Sequence, residues 1–210
     1  MYKLRLYFEM LKKEFGKFDV FHSELSIDEM MVRYYGKHLA KMFLRGKPIK
    51  FGYKIWCLTS SNGFLYNFSP YCGKTDNKQE PLGARVINAL TSMIPESEYP
   101  NYMLFFDNFF TSVDTLIMLG KSKMKATGTI REIRTNACPL IDSKRMGKEK
   151  ERGFYGYMFD KENEVLVVKW SDNKPVCVAT NYSTITPLSS TKKILTGKEK
   201  GNICYNATSH

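Results

Sequence analysis

Asp28 and Asp107 occupy positions where a carboxylate is uncommon and where it could bind a metal or take part in catalysis. Asp28 falls inside a predicted strand over residues 24–32, and acidic residues are disfavoured within strands. Asp107 directly follows a continuous apolar run over residues 102–106, which is typical of a buried parallel strand. If the two strands are neighbours, both carboxylates meet at one edge of a sheet, where α/β folds place metal and ligand sites. Paired hard oxygen ligands of this kind favour Mg²⁺ or Mn²⁺.

Each aspartate also has a plainer interpretation. Asp28 could be a solvated carboxylate on an edge strand, and Asp107 could do no more than accept a hydrogen bond from the turn that follows it. Because side chains alternate along a strand, we expect Glu29 to point to the face opposite Asp28 and to take no part in its site.

Two divalent cations held at such a site would suit phosphodiester cleavage and transfer, by activating a water or a 3′-hydroxyl and stabilising the leaving oxygen. Competing chemistries find little support. There is no phosphate-binding G-x-x-x-x-G-K-[S/T] sequence and no G-x-G-x-x-G sequence, and the three histidines have no evident nucleophile or ligand partner. The five cysteines are scattered and never form a C-x-x-C pair, which favours a reducing, intracellular compartment.

The elements that must position the aspartates follow from the hydrophobic pattern. We predict an amphipathic helix up to Gly16, strands over residues 24–32, 51–59 and 64–72, and a helix from Leu82 to about Ile94. After the strand that ends at Asp107, we expect a short helix capped by Ser112 and a further strand over residues 126–130. Residues 131–152 are charged and rich in turn formers, and we predict an extended basic loop there, followed by an antiparallel meander. The order indicates a mixed α/β sheet with crossover connections.

The net charge of +11 is concentrated in two stretches. Residues 33–74 hold eight Lys or Arg and no acid, and residues 121–152 hold ten basic residues against four acidic ones. Such blocks favour a polyanionic partner through phosphate contacts. No signal peptide and no segment long enough to span a membrane is present. The residues that we expect to contact DNA are Lys47, Lys50, Lys54, Arg131 and Arg134.

Three segments of the chain, in the same order, resemble the piggyBac family of transposases and the domesticated proteins derived from them. The first joins Leu25-Ser26-Ile27-Asp28-Glu29-Met30-Met31 to Gly46-Lys47-Pro48 and the strand that contains Gly52-Tyr53-Lys54-Ile55-Trp56. The second is Phe105-Phe106-Asp107-Asn108-Phe109-Phe110-Thr111-Ser112. The third is Ala126-Thr127-Gly128-Thr129-Ile130-Arg131. The resemblance extends over about residues 4–190.

The resemblance implies an RNase H-like mixed sheet with flanking helices and a β-rich insertion. We expect the catalytic core over residues 1–152, the insertion over residues 153–183 and a disordered tail over residues 184–210. It also implies DNA excision and integration at TTAA sites in the nucleus, with Mg²⁺ or Mn²⁺ as cofactor and the transposon ends as partner. A homodimer is left open. Asp28 and Asp107 match the first two members of the family's catalytic aspartate triad and would be both catalytic residues and metal ligands.

The third aspartate of the triad lies in a Gly-Gly-Val-Asp block that this sequence does not contain. We therefore expect the fold to be incomplete at the C-terminus and the chain to be inactive as it stands, because a two-metal centre needs all its ligands. The alternative is a domesticated, non-catalytic protein that binds DNA or another partner through the same basic surfaces.

Overall fold

The computed structural model describes residues 4–17, 22–73 and 80–186, together with two short strands further on. The chain divides into two compact units. The first takes in the described residues up to Phe110 together with Lys121–Lys125, and the second takes in Thr111–Gly120 and the described residues from Ala126 onward.

The first unit contains two helices and five strands. In chain order they are α1 (Arg5–Gly16), β1 (Glu24–Arg33), β2 (Met42–Phe43), β3 (Phe51–Ser60), β4 (Leu65–Pro70), α2 (Leu82–Thr91) and β5 (Met103–Phe106). β3 pairs antiparallel with β1, β2 and β4. β1 pairs on its other side with β5, and that pairing is parallel. β1 and β5 are thus neighbours, which is the condition for Asp28 and Asp107 to lie close together.

Apolar side chains fix the alignment of β1 with β5. Leu25 lies opposite Leu104 and Ile27 lies opposite Phe106, and all four are buried. A slip of one residue would turn these side chains to the opposite face of the sheet. The core therefore determines which residues come next to each other where the paired segment ends.

Helices cover both faces of this sheet. α1 packs Phe8, Leu11 and Phe15 against a cluster formed by Ile55 and Phe68 together with Cys57. α2 lies against β4, where the Asn67 side chain donates a hydrogen bond of 2.8 Å to the Leu90 carbonyl. This bond satisfies a buried polar group at the end of the helix.

The second unit is an antiparallel sheet with two helices. Its elements are α3 (Val113–Lys121), β6 (Lys125–Thr129), α4 (Ser143–Glu149), β7 (Tyr155–Asp160), β8 (Val165–Trp170) and β9 (Val176–Thr180). β9 pairs with β6 and β8, and β8 pairs with β7. The predicted meander over residues 153–182 is confirmed by this pairing.

The prediction of an extended loop over residues 131–152 is wrong in part. A 3-10 turn occupies Glu132–Arg134, and α4 follows. Asp142 caps α4 by accepting hydrogen bonds from the Lys144 and Arg145 backbone N–H groups. The sequence signal was available, because Asp is a favoured N-cap residue, but the high charge of the segment concealed it.

The predicted mixed α/β fold class is confirmed. Of the predicted tail from residue 184, most lies outside the described residues. Within it, β10 (Ser189–Lys192) and β11 (Asn202–Tyr205) pair with each other. The boundaries predicted for core, insertion and tail stay a prediction. Across the described ranges, no helix combines the length and the apolar character that a membrane crossing requires.

A buried lysine holds the segment before α4 against β8. Lys169 is 3% exposed, and its ammonium group binds the Glu132 carboxylate and donates a hydrogen bond of 2.7 Å to the Ile141 carbonyl. Glu132 also accepts a hydrogen bond from the Ser143 N–H. The hydrogen bond from Lys169 is the main reason that the pKa of Glu132 lies below its ordinary value.

We predict that Glu132→Gln lowers the free energy of unfolding by about 2–3 kcal/mol at pH 7, because it leaves the Lys169 ammonium buried without its anion. Since the pKa of Glu132 is lowered by folding, its contribution is present above its ordinary value of 4.5 and is lost as the pH falls through the folded value. Urea denaturation at pH 7 and at pH 3 measures both effects.

Glu149→Gln is the matched control, since Glu149 pairs with Arg145 on the exposed side of α4. Its urea midpoint should equal that of the parent chain. Equal midpoints for Glu132→Gln and Glu149→Gln at pH 7 would contradict the role given to Glu132.

Candidate active site

The parallel register of β1 and β5 places Asp28 beside Asp107. The last paired residues are Ile27 and Phe106, and each aspartate is the next residue along the chain. Neighbouring strands lie about 4.8 Å apart. The backbones of Asp28 and Asp107 therefore follow at the same level, at the carboxyl end of β5. That the two carboxylates share a cation stays a prediction.

Asp28 lies on an inner strand, because β1 has β3 on one side and β5 on the other. The alternative of an edge strand is thus excluded. The Asp28 Oδ1 atom accepts a hydrogen bond of 2.7 Å from the Glu29 backbone N–H. The pKa of Asp28 is raised, first by partial burial and further by the negative charge of Glu29.

Asp107 begins a tight turn after β5. Its Oδ1 atom accepts a hydrogen bond of 2.9 Å from the Phe109 N–H, and its carbonyl accepts one of 3.2 Å from the Phe110 N–H. The plainer interpretation of Asp107, as a residue that accepts hydrogen bonds from the backbone of the following turn, is therefore correct. The same hydrogen bonds also fix the direction of its carboxylate.

The turn after Asp107 is held by aromatic packing. Phe109 stacks on Trp56 with ring centroids 5.2 Å apart, and Phe110 meets Trp56 edge to face at 5.3 Å. On the other side, α2 approaches so closely that a Cβ on Gly83 would lie 3.0 Å from the Phe110 Cα. The position of Asp107 thus depends on Trp56 from β3 and on a glycine in α2.

Glu29 pairs with two lysines beside Asp28, and the expectation that it takes no part in a metal site stays a prediction. Its carboxylate lies 3.0 Å from the Lys47 ammonium and 3.9 Å from that of Lys54, while its charge acts on Asp28. The alternation rule holds for the backbone, where Glu29 lies opposite Trp56 and Asp28 lies opposite Cys57.

Lys47 and Lys54 offset part of the negative charge of Asp28, Glu29 and Asp107. Burial acts to raise the pKa of Glu29, but the hydrogen bond from Lys47 and the charge of Lys54 outweigh it, so that the pKa lies below its ordinary value. The hydrogen bond to Glu29 raises the pKa of Lys47. Burial lowers the pKa of Lys54, opposed by the charge of Glu29. The negative charges of Asp28 and Asp107 also act to raise the pKa of both lysines, and we refer to these five side chains as the cluster.

A closed loop presents Lys47 to the cluster. The Leu44 N–H donates a hydrogen bond of 2.9 Å to the Lys50 carbonyl, and Lys47 lies midway between these residues. Gly46 has a φ of +89°, a left-handed conformation that favours glycine. Glycine at this position therefore lets the loop turn sharply just before Lys47.

The other predicted DNA contacts are placed as follows. Lys50 is exposed. Arg131 and Arg134 belong to the second unit, where Arg131 is exposed and the Arg134 guanidinium donates a hydrogen bond of 3.4 Å to the Thr111 carbonyl. Lys54 differs from Lys47 and Lys50, because only 11% of its side chain is exposed.

Comparison with known proteins identifies the family. The family model described as Transposase IS4 matches residues 1–204. Human piggyBac transposable element-derived protein 2 is 39% identical over 171 residues, which are 80% of this chain and 29% of that protein. Human piggyBac transposable element-derived protein 3 is 38% identical over 189 residues, which are 89% of this chain and 32% of that protein.

The chain belongs to the piggyBac transposase family. The cryo-EM structure of the piggyBac transposase synaptic complex with hairpin DNA has the same fold, with a TM-score of 0.65 and 23% identity over 78% of this chain and 34% of that one. The family resemblance found in the sequence is thereby confirmed. The chain spans about a third of the length of the piggyBac-derived relatives that it matches.

We predict that Gly83→Ala lowers the free energy of unfolding by about 1–3 kcal/mol, since the new Cβ must push the Phe109–Phe110 backbone away from α2. Its nearest atoms would be the Phe110 Cα at 3.0 Å and the Phe109 carbonyl oxygen at 3.2 Å. Thermal and urea denaturation measure the loss.

Gly147→Ala in α4 is the control, because a Cβ there would meet only Pro175 at 3.8 Å. This substitution should stabilise by about 0.5–1 kcal/mol through helix propensity. If Gly83→Ala were stabilising to the same extent, the close packing of α2 on the Asp107 turn would be wrong.

Proposed function

We propose that this chain is the part of a piggyBac-type transposase that supplies the first two carboxylates of the catalytic centre, for DNA strand cleavage and transfer at TTAA sites in the nucleus. The parallel pairing of β1 with β5, whose last paired residues directly precede Asp28 and Asp107, is the observation that supports the proposal. The chain spans about a third of the length of its relatives. The proposal therefore includes the DNA cleavage and transfer activity of the whole protein.

The residues present fit a divalent cation as a partial site. Asp28 and Asp107 are hard oxygen ligands, and one oxygen of each is already oriented by a backbone N–H. They would hold Mg²⁺ or Mn²⁺, which when bound would act as a Lewis acid on a phosphodiester. Within residues 4–17, 22–73 and 80–186, no group of three or more His, Cys, Asp or Glu side chains is suited to hold a metal. We therefore propose that the chain by itself binds a cation without strand transfer.

The side chains of this chain would prepare the site and dock the DNA. Lys47 and Lys54 offset the repulsion among the acids before a cation arrives. Lys47 and Lys50 would then contact the DNA backbone, since phosphate contacts position a protein on a duplex. Arg131 and Arg134 would add such contacts from the second unit.

Duplex DNA is the proposed partner. The two basic stretches support this proposal, and the structure with the same fold is titled as a complex with hairpin DNA. Release of counterions from the phosphates would supply most of the affinity that does not depend on sequence.

A domesticated, non-catalytic DNA-binding or interaction protein is the second candidate. The observation that favours it is the engagement of Glu29 by two lysines, because cations already present in the cluster compete with a metal. The two human relatives carry names that describe them as transposable element-derived. This candidate predicts DNA binding with no response to Mn²⁺.

For the transposase proposal, we predict that Mn²⁺ at about ten times its dissociation constant raises the melting temperature by about 3–5 °C. Asp28→Asn and Asp107→Asn should each abolish the rise, because each removes a ligand charge. Differential scanning fluorimetry across a Mn²⁺ titration measures the effect.

Asp142→Asn serves as the control for these two substitutions. Asn caps helices as well as Asp, so that the fold is kept, and Asp142 caps α4 in the second unit. It should retain the full Mn²⁺ response. No response in the parent chain, or an undiminished response in Asp28→Asn, would overturn the proposed cation site.

For the DNA surface, we predict that Lys50→Gln reduces the magnitude of the slope of log Kobs against log [salt] by about one, the value for one lost phosphate contact. Fluorescence anisotropy with a short labelled duplex at 50–200 mM KCl gives the slope. Asp28→Asn is the control and should keep the parent slope. An affinity that does not change with salt would contradict both candidate functions.

A further inference from the structure

Lys54 lies in a different environment from the other lysines predicted to bind DNA. Its ammonium group is 3.8 Å from the centroid of the Trp56 ring and 5.1 Å from that of Phe109. Only 11% of the Lys54 side chain is exposed. Contacts with these rings and with Glu29 therefore replace most of the water that would hydrate it. A phosphate group would have to displace these partners to reach it.

Lys54 is connected to Asp107 through Phe109. Phe109 stacks on Trp56 with an interplanar angle of 25°, and the N–H of Phe109 is the group that donates to the Asp107 Oδ1 atom at 2.9 Å. An ammonium group over both rings is attracted to their faces. It therefore favours the stacked arrangement, and the stacked arrangement fixes the turn that aims Asp107.

Lys54 is connected to Asp28 through Glu29. The carboxylate of Glu29 lies 3.9 Å from the Lys54 ammonium, and the backbone N–H of Glu29 donates to the Asp28 Oδ1 atom at 2.7 Å. The connection from Asp107 to Asp28 thus runs through Phe109, Lys54 and Glu29. It joins the two carboxylates by side chains, in addition to the backbone pairing of β1 with β5.

We propose that Lys54 is a positioning residue that couples the Asp107 turn to the Asp28 strand, and that it does not contact DNA. A compact ammonium group can lie on two ring faces and beside a carboxylate at once, whereas the larger guanidinium group of Arg has a fixed planar shape. The consequence for a divalent cation rests on the proposed function. The coupling itself does not.

The test uses Lys54→Met, which keeps an unbranched side chain over Trp56 and removes the charge, in the whole chain. We expect the amide of Phe109 to exchange with solvent about tenfold faster, because the turn opens more often. The amide of Leu58, inside β3, should be unchanged. Amide exchange rates measured by NMR give both values. Phe109→Leu removes the stacked ring and keeps Lys54. It should likewise raise the exchange rate of the amide at position 109.

Lys54→Arg tests whether charge over the rings is what matters, and it should restore part of the protection at Phe109. Lys50→Met is the matched control, since Lys50 is exposed near the start of the same strand, and it should leave the Phe109 rate unchanged.

The salt dependence of DNA binding separates positioning from phosphate contact: Lys54→Met should keep the parent slope, and Lys50→Met should reduce it by about one.

An unchanged Phe109 exchange rate in Lys54→Met would overturn the coupling, and a slope reduced as in Lys50→Met would overturn the exclusion of a DNA contact. The affinity for Mn²⁺ should also fall by about tenfold in Lys54→Met, since ligands held less firmly bind a cation less well. A parent chain that does not respond to Mn²⁺ would count against the proposed function, while the exchange rates would still decide the role of Lys54.

Discussion

The parallel pairing of β1 with β5 is the constraint on which the candidate site depends. It brings Asp28 and Asp107 to one level, although 78 residues separate them in the chain. The alignment is fixed by buried apolar residues, Leu25 against Leu104 and Ile27 against Phe106. The backbone positions of the two aspartates are thus decided by core packing.

Neighbouring carboxylates repel each other, and the surroundings of Asp28 show how the chain offsets that repulsion. At a separation of about 5 Å and an effective dielectric constant of about 20, two like charges repel by about 3 kcal/mol. Lys47 and Lys54 supply two positive charges against the three acids of the cluster. The remaining negative charge favours a cation, and the lysines limit how strongly it does so. This balance is consistent both with a metal site and with a protein that has kept only the DNA-binding surface.

Much of this architecture could be predicted from the sequence because it depends on local pattern. The apolar run before Asp107 and the alternation around Asp28 indicated the strands, and the order of the elements indicated a mixed sheet. The lysine partners of Glu29 could not be predicted, because strand alternation says which face a side chain leaves from and not which charged side chains of other elements lie beside it. The part played by Lys54 depends on Trp56 and Phe109, which lie on different elements, so that no local pattern could have shown it. The short helix α4 was missed because its charged residues concealed its Asp142 cap.

We propose that Asp28 and Asp107 share one divalent cation. The most direct measurement is anomalous scattering from crystals of this chain soaked in Mn²⁺. From this proposal we expect a peak within about 2.3 Å of a carboxylate oxygen of both residues, the range of Mn²⁺ and Mg²⁺ bonds to oxygen. A peak bound to only one of them, or ordered Mn²⁺ elsewhere with none between them, would contradict it.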